Sequence, residues 1–244
     1  MKKKYFIPFL IGNYPKNSKF IKILNFISKN GIKTIEIGIP FSESYLDGKI
    51  ISDIYKKIKN FSLDDLLKSL KKFENIYKIL VCYSNFIESI GMDFFLKKIK
   101  RKINSLLIVD QPLKYLLKMK KKFIRNNIKF VYIICTNNIK IINNTKNIFK
   151  ELEKYNLCSH IYLINRLGVT GEKIKINYKN IYKNFIKISK LTRIPIITGF
   201  GINKNNFSFY KEKKINFVIG TKIIKYIKER KIKKLKKFIK KCIK

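Results

Sequence analysis

With 244 residues, 46% of them hydrophobic, the chain has the length and apolar content for a buried core, which excludes a wholly disordered polypeptide. Its 56 Lys and Arg against 15 Asp and Glu give a formal charge of +41, a balance that ordinarily signals nucleic acid, an anionic membrane or acidic partners. The excess is nearly all Lys, however: only Arg101, Arg125, Arg166, Arg193 and Arg230 offer the planar guanidinium favoured in phosphate and base recognition, which argues against a nucleic-acid binder.

In chain order, the basic start and the apolar residues after it are interrupted by Pro8, Gly12, Asn13, Tyr14 and Pro15 with no small-residue cleavage site, so no signal peptide is predicted. Tyr5 to Leu10 reads as a strand and Ser18 to Asn30 as a helix, followed by strands at Thr34 to Ile39, Lys78 to Cys82 and Ser105 to Val109. Leu113 to Asn127 has helical period, Phe130 to Cys135 is a strand, and Lys146 to Tyr155 is a helix. A strand at His160 to Ile164, a helix at Asn180 to Thr192 and strands at Pro195 to Thr198 and Phe217 to Ile219 complete the series. The Lys-rich tail from Tyr226 to Lys244 predicts one last amphipathic helix, with Ile227, Ile232, Leu235, Phe238, Ile239 and Cys242 as its apolar face and its lysines solvated.

Near-continuous apolar strands separated by amphipathic helices imply parallel strands covered by helices, an α/β class. Eight such units in this length predict a single-domain (β/α)8 TIM barrel over residues 1–244, since that fold usually takes about 250 residues. An open doubly wound sheet is the alternative, but the glycine fingerprint expected after its first strand is missing. No run reaches the roughly 18 apolar residues of a membrane span. Cys82, Cys135, Cys158 and Cys242 form no CxxC pair, and His160, the sole histidine, has no ligand-like spacing around it. The expectation is a reduced, cytoplasmic protein without metal, with His160 structural. The chain has no alanine, and Lys, Ile, Asn, Phe and Tyr have A/T-rich codons, so a biased gene explains the charge better than a polyanionic partner does.

In such a barrel chemistry belongs to the loops after the carboxyl ends of strands. Glu36 lies within the second strand, where an ionised carboxylate is costly without partners, and the following loop, residues 41–49, adds Glu43 and Asp47. An ion pair with a lysine is the bland reading of Glu36. Asn165 to Gly171 follows the sixth strand, and Gly199 to Asn203 and Ile219 to Thr221 follow the seventh and eighth. Glycine loops and a short helix's amino end at those places suit a phosphate held by backbone amides.

The ordered segments Tyr5-Phe6-Ile7-Pro8-Phe9, Glu36-Ile37-Gly38-Ile39-Pro40-Phe41-Ser42 with Asp47-Gly48 beyond, Gly168-Val169-Thr170-Gly171, Gly199-Phe200-Gly201-Ile202 and Gly220-Thr221 resemble the tryptophan synthase α subunit family over nearly the whole chain. The resemblance implies cleavage of indole-3-glycerol phosphate to indole and glyceraldehyde 3-phosphate, with indole passed to a β subunit in an α2β2 heterotetramer. That β subunit carries pyridoxal phosphate; this chain would need no cofactor. It implies Glu36 as the proton carrier and Asp47 as the carboxylate facing the indole N–H. Gly171, Gly201, Gly220 and Thr221 would hold the phosphate, Tyr83 and Tyr162 would line the pocket, and Thr170 would contact Asp47 on closure of the sixth loop. Asp110 resembles a position near the pocket, though on its own it reads as a capping residue. Pro40, Glu43 and the loops after strands three and four would face the β subunit. Glu43, Ser44 and Lys49 depart from the family's usual loop, and Asn13 stands where glycine is usual. The helix that commonly precedes the first strand is not evident, so the barrel base is expected to be less well plugged. Competing readings are a non-catalytic subunit that only activates β, and another phosphate-binding barrel enzyme.

Overall fold

The computed structural model describes residues 5–135, 145–164, 178–199 and 201–243. Eight parallel strands, β1 (Phe6–Ile11), β2 (Thr34–Gly38), β3 (Tyr77–Cys82), β4 (Ser105–Ile108), β5 (Lys129–Cys135), β6 (Cys158–Ile164), β7 (Ile196–Thr198) and β8 (Asn216–Ile219), pair in sequence order and β8 returns to β1. The sheet is therefore a closed (β/α)8 barrel rather than the open alternative, and every strand lies within a residue or two of its sequence expectation.

Register and alternation decide what faces the axis. Phe9 lies opposite Glu36, Val81 opposite Leu107 and Ile133 opposite Tyr162, and all six side chains line one cavity. Their neighbours Ile35, Ile37, Leu80, Leu106, Ile161 and Leu163 are buried on the other face, under the helices. Burial on both faces is why these strands read as unbroken apolar runs rather than as an alternation. At the opposite end Tyr77 of β3 meets His160 of β6 edge to face at 5.5 Å, although the two strands are not neighbours. The contact spans the interior, so aromatic side chains plug the base of the barrel. His160 also lies 3.2 Å from the Ser159 hydroxyl, and burial pulls its pKa down to about 4.

The described helices are α1 (Asn17–Lys29), α2 (Lys49–Lys57), α3 (Leu63–Lys71), α4 (Ser84–Ile90), α5 (Met92–Ile99), α6 (Leu113–Lys118), α7 (Lys120–Asn126), α8 (Thr145–Lys154), α9 (Tyr178–Ser189), α10 (Phe207–Glu212), α11 (Thr221–Lys228) and α12 (Ile232–Ile243). On α1 the buried residues Phe20, Ile23, Leu24 and Ile27 follow helical spacing, so the lysines are left on the solvent side. Two expectations are corrected. The segment 113–127 is two helices, because Met119 leaves helical geometry at φ −90°, ψ 5°. The tail is also two helices: Arg230 takes the left-handed φ of 54°, its N–H donates to the Ile227 carbonyl, and the Lys231 N–H donates to that of Tyr226. This is a Schellman closure without glycine. It turns α12 back so that Phe238 packs on Tyr226 and Phe207, and Leu235, Phe238, Ile239 and Cys242 are buried as the apolar face requires. No helix among the described residues is long and apolar enough to cross a membrane. None of the four cysteines is in a disulfide.

Candidate active site

A cavity of about 490 Å³ opens at the carboxyl ends of the strands. Strand side chains Phe9, Glu36, Val81, Leu107, Ile133, Tyr162 and Val218 line it, together with loop residues that include Tyr45, Asp47, Tyr83, Asp110, Gly201, Gly220 and Thr221. Among its described lining residues there is no Lys or Arg, in a chain with 56 of them. Its acidic side chains are Glu36, Asp47 and Asp110. Among the described residues the interior is an apolar box with three acids in it.

Glu36 reaches the cavity because β2 carries it on the inward parity, one residue past Ile35. It is 3% exposed and its Oε1 has no hydrogen-bond partner. Burial pushes its pKa up to about 8, so at neutral pH the carboxyl holds its proton. Among the described residues Glu36 has no lysine ion pair of the kind considered from sequence; the ion pairs there are among other groups, on the helices and their connections. Burial raises the pKa of Tyr162, with the nearby Glu36 carboxyl adding to it when ionised, and the Tyr162 hydroxyl fills the space a Cβ on Gly199 would need.

Asp47 is held differently. The Tyr83 hydroxyl donates to Asp47 Oδ2 at 2.8 Å and accepts from the Leu46 N–H at 3.1 Å. Burial raises the Asp47 pKa to about 6 while the Tyr83 hydrogen bond pulls the other way, so above that pH it is a carboxylate. The Tyr83 ring is stacked by Phe41 at 5.6 Å and met by Tyr45 at 5.4 Å. Burial and hydrogen bonding thus set the two acids apart, Glu36 favouring its protonated form more strongly than Asp47.

On the far side, Gly201 takes φ 82°, and Gly220 precedes α11, whose first turn begins at Thr221. A Cβ on Gly220 would press on Phe9 Cδ1 at 3.1 Å, so glycine keeps the loop against the first strand. No side chain caps this helix start, leaving its first N–H groups and dipole for an anion. Asp110 does not cap the helix that follows it; from the loop after β4 it reaches the start of α4, where it accepts from the Ser84 N–H at 2.9 Å and from Ser84 Oγ at 2.8 Å. It also lines the cavity.

Glu36, Asp47, Tyr83, Tyr162, Gly201, Gly220 and Thr221 are thus brought together; Thr170 and Gly171, with Arg166, lie outside the described residues. Of the surface expected to meet a partner, Glu43 is exposed but Pro40 is buried within the chain. Sequence reasoning missed Phe9 as a lining residue, the buried Tyr55 whose hydroxyl fits against Gly38, and the Tyr45 contact with Asp110. Nothing in local pattern marks these aromatics among the 33 Tyr and Phe of the chain, 14 and 19 respectively. At position 13, φ is 58°, so Asn13 occupies the left-handed region that glycine takes freely and asparagine tolerates best of the others.

Comparison with known proteins places this architecture. The profile described as tryptophan synthase alpha chain matches residues 1–244. The chain is 34% identical over 177 residues to the tryptophan synthase alpha chain of Buchnera aphidicola subsp. Schlechtendalia chinensis, a match covering 70% of this chain and 63% of that relative. It is 29% identical over 249 residues to that of Flavobacterium psychrophilum, covering 97% and 94%. The fold is similar, with a TM-score of 0.77 and 24% identity, to a chain from the tryptophan synthase a2b2 complex of Pyrococcus furiosus, covering all of this chain and 98% of that one.

Proposed function

This chain belongs to the tryptophan synthase alpha chain family, and we propose that it cleaves indole-3-glycerol phosphate to indole and glyceraldehyde 3-phosphate in the cytoplasm, with a β subunit as the acceptor of indole. The observation that carries the reading is the pair of unlike acids in one apolar cavity, Glu36 buried and Asp47 held by Tyr83. Retro-aldol cleavage needs a proton delivered to the indole carbon that leaves and a proton taken from the hydroxyl beside the breaking bond. Glu36, protonated at neutral pH, is suited to deliver the first; the carboxylate it becomes is suited to take the second.

Protonation of the indole ring at carbon puts positive charge on its nitrogen. Asp47, a carboxylate above about pH 6 and kept in place by Tyr83, would face that N–H and favour the transition state over the neutral substrate. Gly201, Gly220 and Thr221, with Gly171 and Thr170 on the sixth loop, would bind the phosphate through amides and a hydroxyl, which fits the absence of lysine among the described lining residues. Phe9, Leu107 and Tyr162 would hold the indole ring. Under this reading the partner is the β subunit of an α2β2 assembly, pyridoxal phosphate belongs to that subunit, and exposed Glu43 belongs to the face it meets.

The test is indole release from indole-3-glycerol phosphate by the purified chain, alone and with its cognate β subunit, with Glu36→Gln alongside. Indole that rises with β and is lost in the variant supports enzyme, partner and proton carrier together. Folded protein that releases none in either condition overturns the reading and leaves a scaffold or a different phosphate-binding barrel.

A further inference from the structure

Three successive loops are joined at the cavity mouth by a closed circuit of contacts. Tyr45, after β2, donates its hydroxyl to Asp110 Oδ2 at 3.3 Å. Asp110, after β4, is anchored by the N–H and Oγ of Ser84. Ser84 adjoins Tyr83, after β3, and the Tyr83 hydroxyl is held between the Leu46 N–H and Asp47 Oδ2, back on the loop of Tyr45. The ring of Tyr45 also rests on that of Tyr83. Tyr45 is 61% exposed, so it contributes little to the core and its removal should leave the fold intact.

We infer that Tyr45 is a positioning residue: it fastens the β2–α2 loop to the β4–α6 loop and thereby keeps the Tyr83 hydroxyl on Asp47. The inference rests on the proposed role of Asp47 for its effect on turnover, but the latch itself is independent of it. Without the Tyr45 hydroxyl, the loop bearing Asp47 is joined to the rest of the circuit only through Tyr83, and the Tyr83 bond is the one that favours the charged form of Asp47. Among the described residues the groups facing Asp47 are Tyr83 from the β3–α4 loop and Tyr55 from α2, with Cys82 beyond Tyr55, Glu36 across the cavity, Tyr45 acting through Tyr83, and Asp110 acting on Tyr45 and Cys82. Among the described residues none of these groups is cationic, so there a loosened Tyr83 bond has no substitute and the Asp47 carboxyl should titrate at higher pH.

The experiment follows the Asp47 side-chain carboxyl by carbon NMR across pH 4 to about 8 in the wild type, Tyr45→Phe, Tyr83→Phe and the double variant, with the pH profile of kcat/KM beside it. The latch predicts that Tyr45→Phe raises the Asp47 titration and moves the acid limb of kcat/KM with it, lowering kcat/KM near that limb by about three- to tenfold. Tyr83→Phe should move the titration at least as far, and the double variant no further than Tyr83→Phe alone. A Tyr45→Phe protein that titrates as wild type, or a double variant whose shift is the sum of the single ones, overturns the latch. If the wild type releases no indole, the proposed function fails while the titration still judges the latch. If it turns over and Tyr45→Phe leaves the titration unmoved, the function stands and the latch falls.

Discussion

Replacing Glu36 by Gln separates its cost to the fold from its use in chemistry. In the folded chain the carboxyl holds its proton to about pH 8, whereas unfolded it would release it near 4.5. Between those values the folded state binds the extra proton, so this group's contribution to stability falls as pH rises. At about 1.4 kcal/mol per pH unit, the loss accumulates to about 5 kcal/mol across the window. Glutamine has nearly the same shape and no charge, so the variant lacks this slope. Urea denaturation at about pH 5 and about pH 8 should therefore show Glu36→Gln gaining on the wild type by several kcal/mol at the higher pH. Indole release by the same variant should fall by about 10²- to 10⁴-fold, the usual worth of a positioned acid–base group. Two proteins with parallel stability–pH profiles would refute the burial argument. A variant of wild-type activity would refute the proton role.

Asp47→Asn keeps the bond from Tyr83 but loses the charge, and turnover should drop by about 10- to 100-fold with the acid limb near pH 6 removed from the kcat/KM profile. Gly38→Ala places a Cβ against the Tyr55 hydroxyl and 2.7 Å from Phe9 Cζ, and should cost about 1–3 kcal/mol in chemical denaturation while reshaping the cavity wall. Leu235→Ala, 1% exposed on α12, should cost about 2–5 kcal/mol, whereas Lys237→Ala, exposed on the same helix, should be near neutral. With a formal charge of +41, self-repulsion should be relieved by screening, so the melting temperature should rise when NaCl goes from about 0.02 to about 0.3 M; a flat response would show that the lysines are spaced widely enough to ignore one another.

The barrel was legible because its strands are short, apolar on both sides and regularly spaced, and the tail was legible as an amphipathic face at Leu235, Phe238, Ile239 and Cys242. Where helices break was not, since Met119 and Arg230 carry no glycine or proline to announce the turn; the φ of 54° at Arg230 accompanies the packing of α12 on Tyr226 and Phe207. Glu36 and Asp47 stood out in the sequence because acids are scarce in this chain. Their different states did not, because a pKa follows from solvent exclusion and partners that are remote in sequence.

Local composition thus determined the repeating units, their order, the place of Glu36 within β2 and the glycines of the last two loops, while register put Glu36 on the inward face. Tertiary structure decided closure of β8 on β1, the unpartnered burial of Glu36, and the joining of residues 45–47, 83–84 and 110 into one circuit. The physical reason is range: periodicity and turn chemistry act over a few residues, whereas desolvation and cross-loop hydrogen bonds exist only after the barrel has set the register of all its strands.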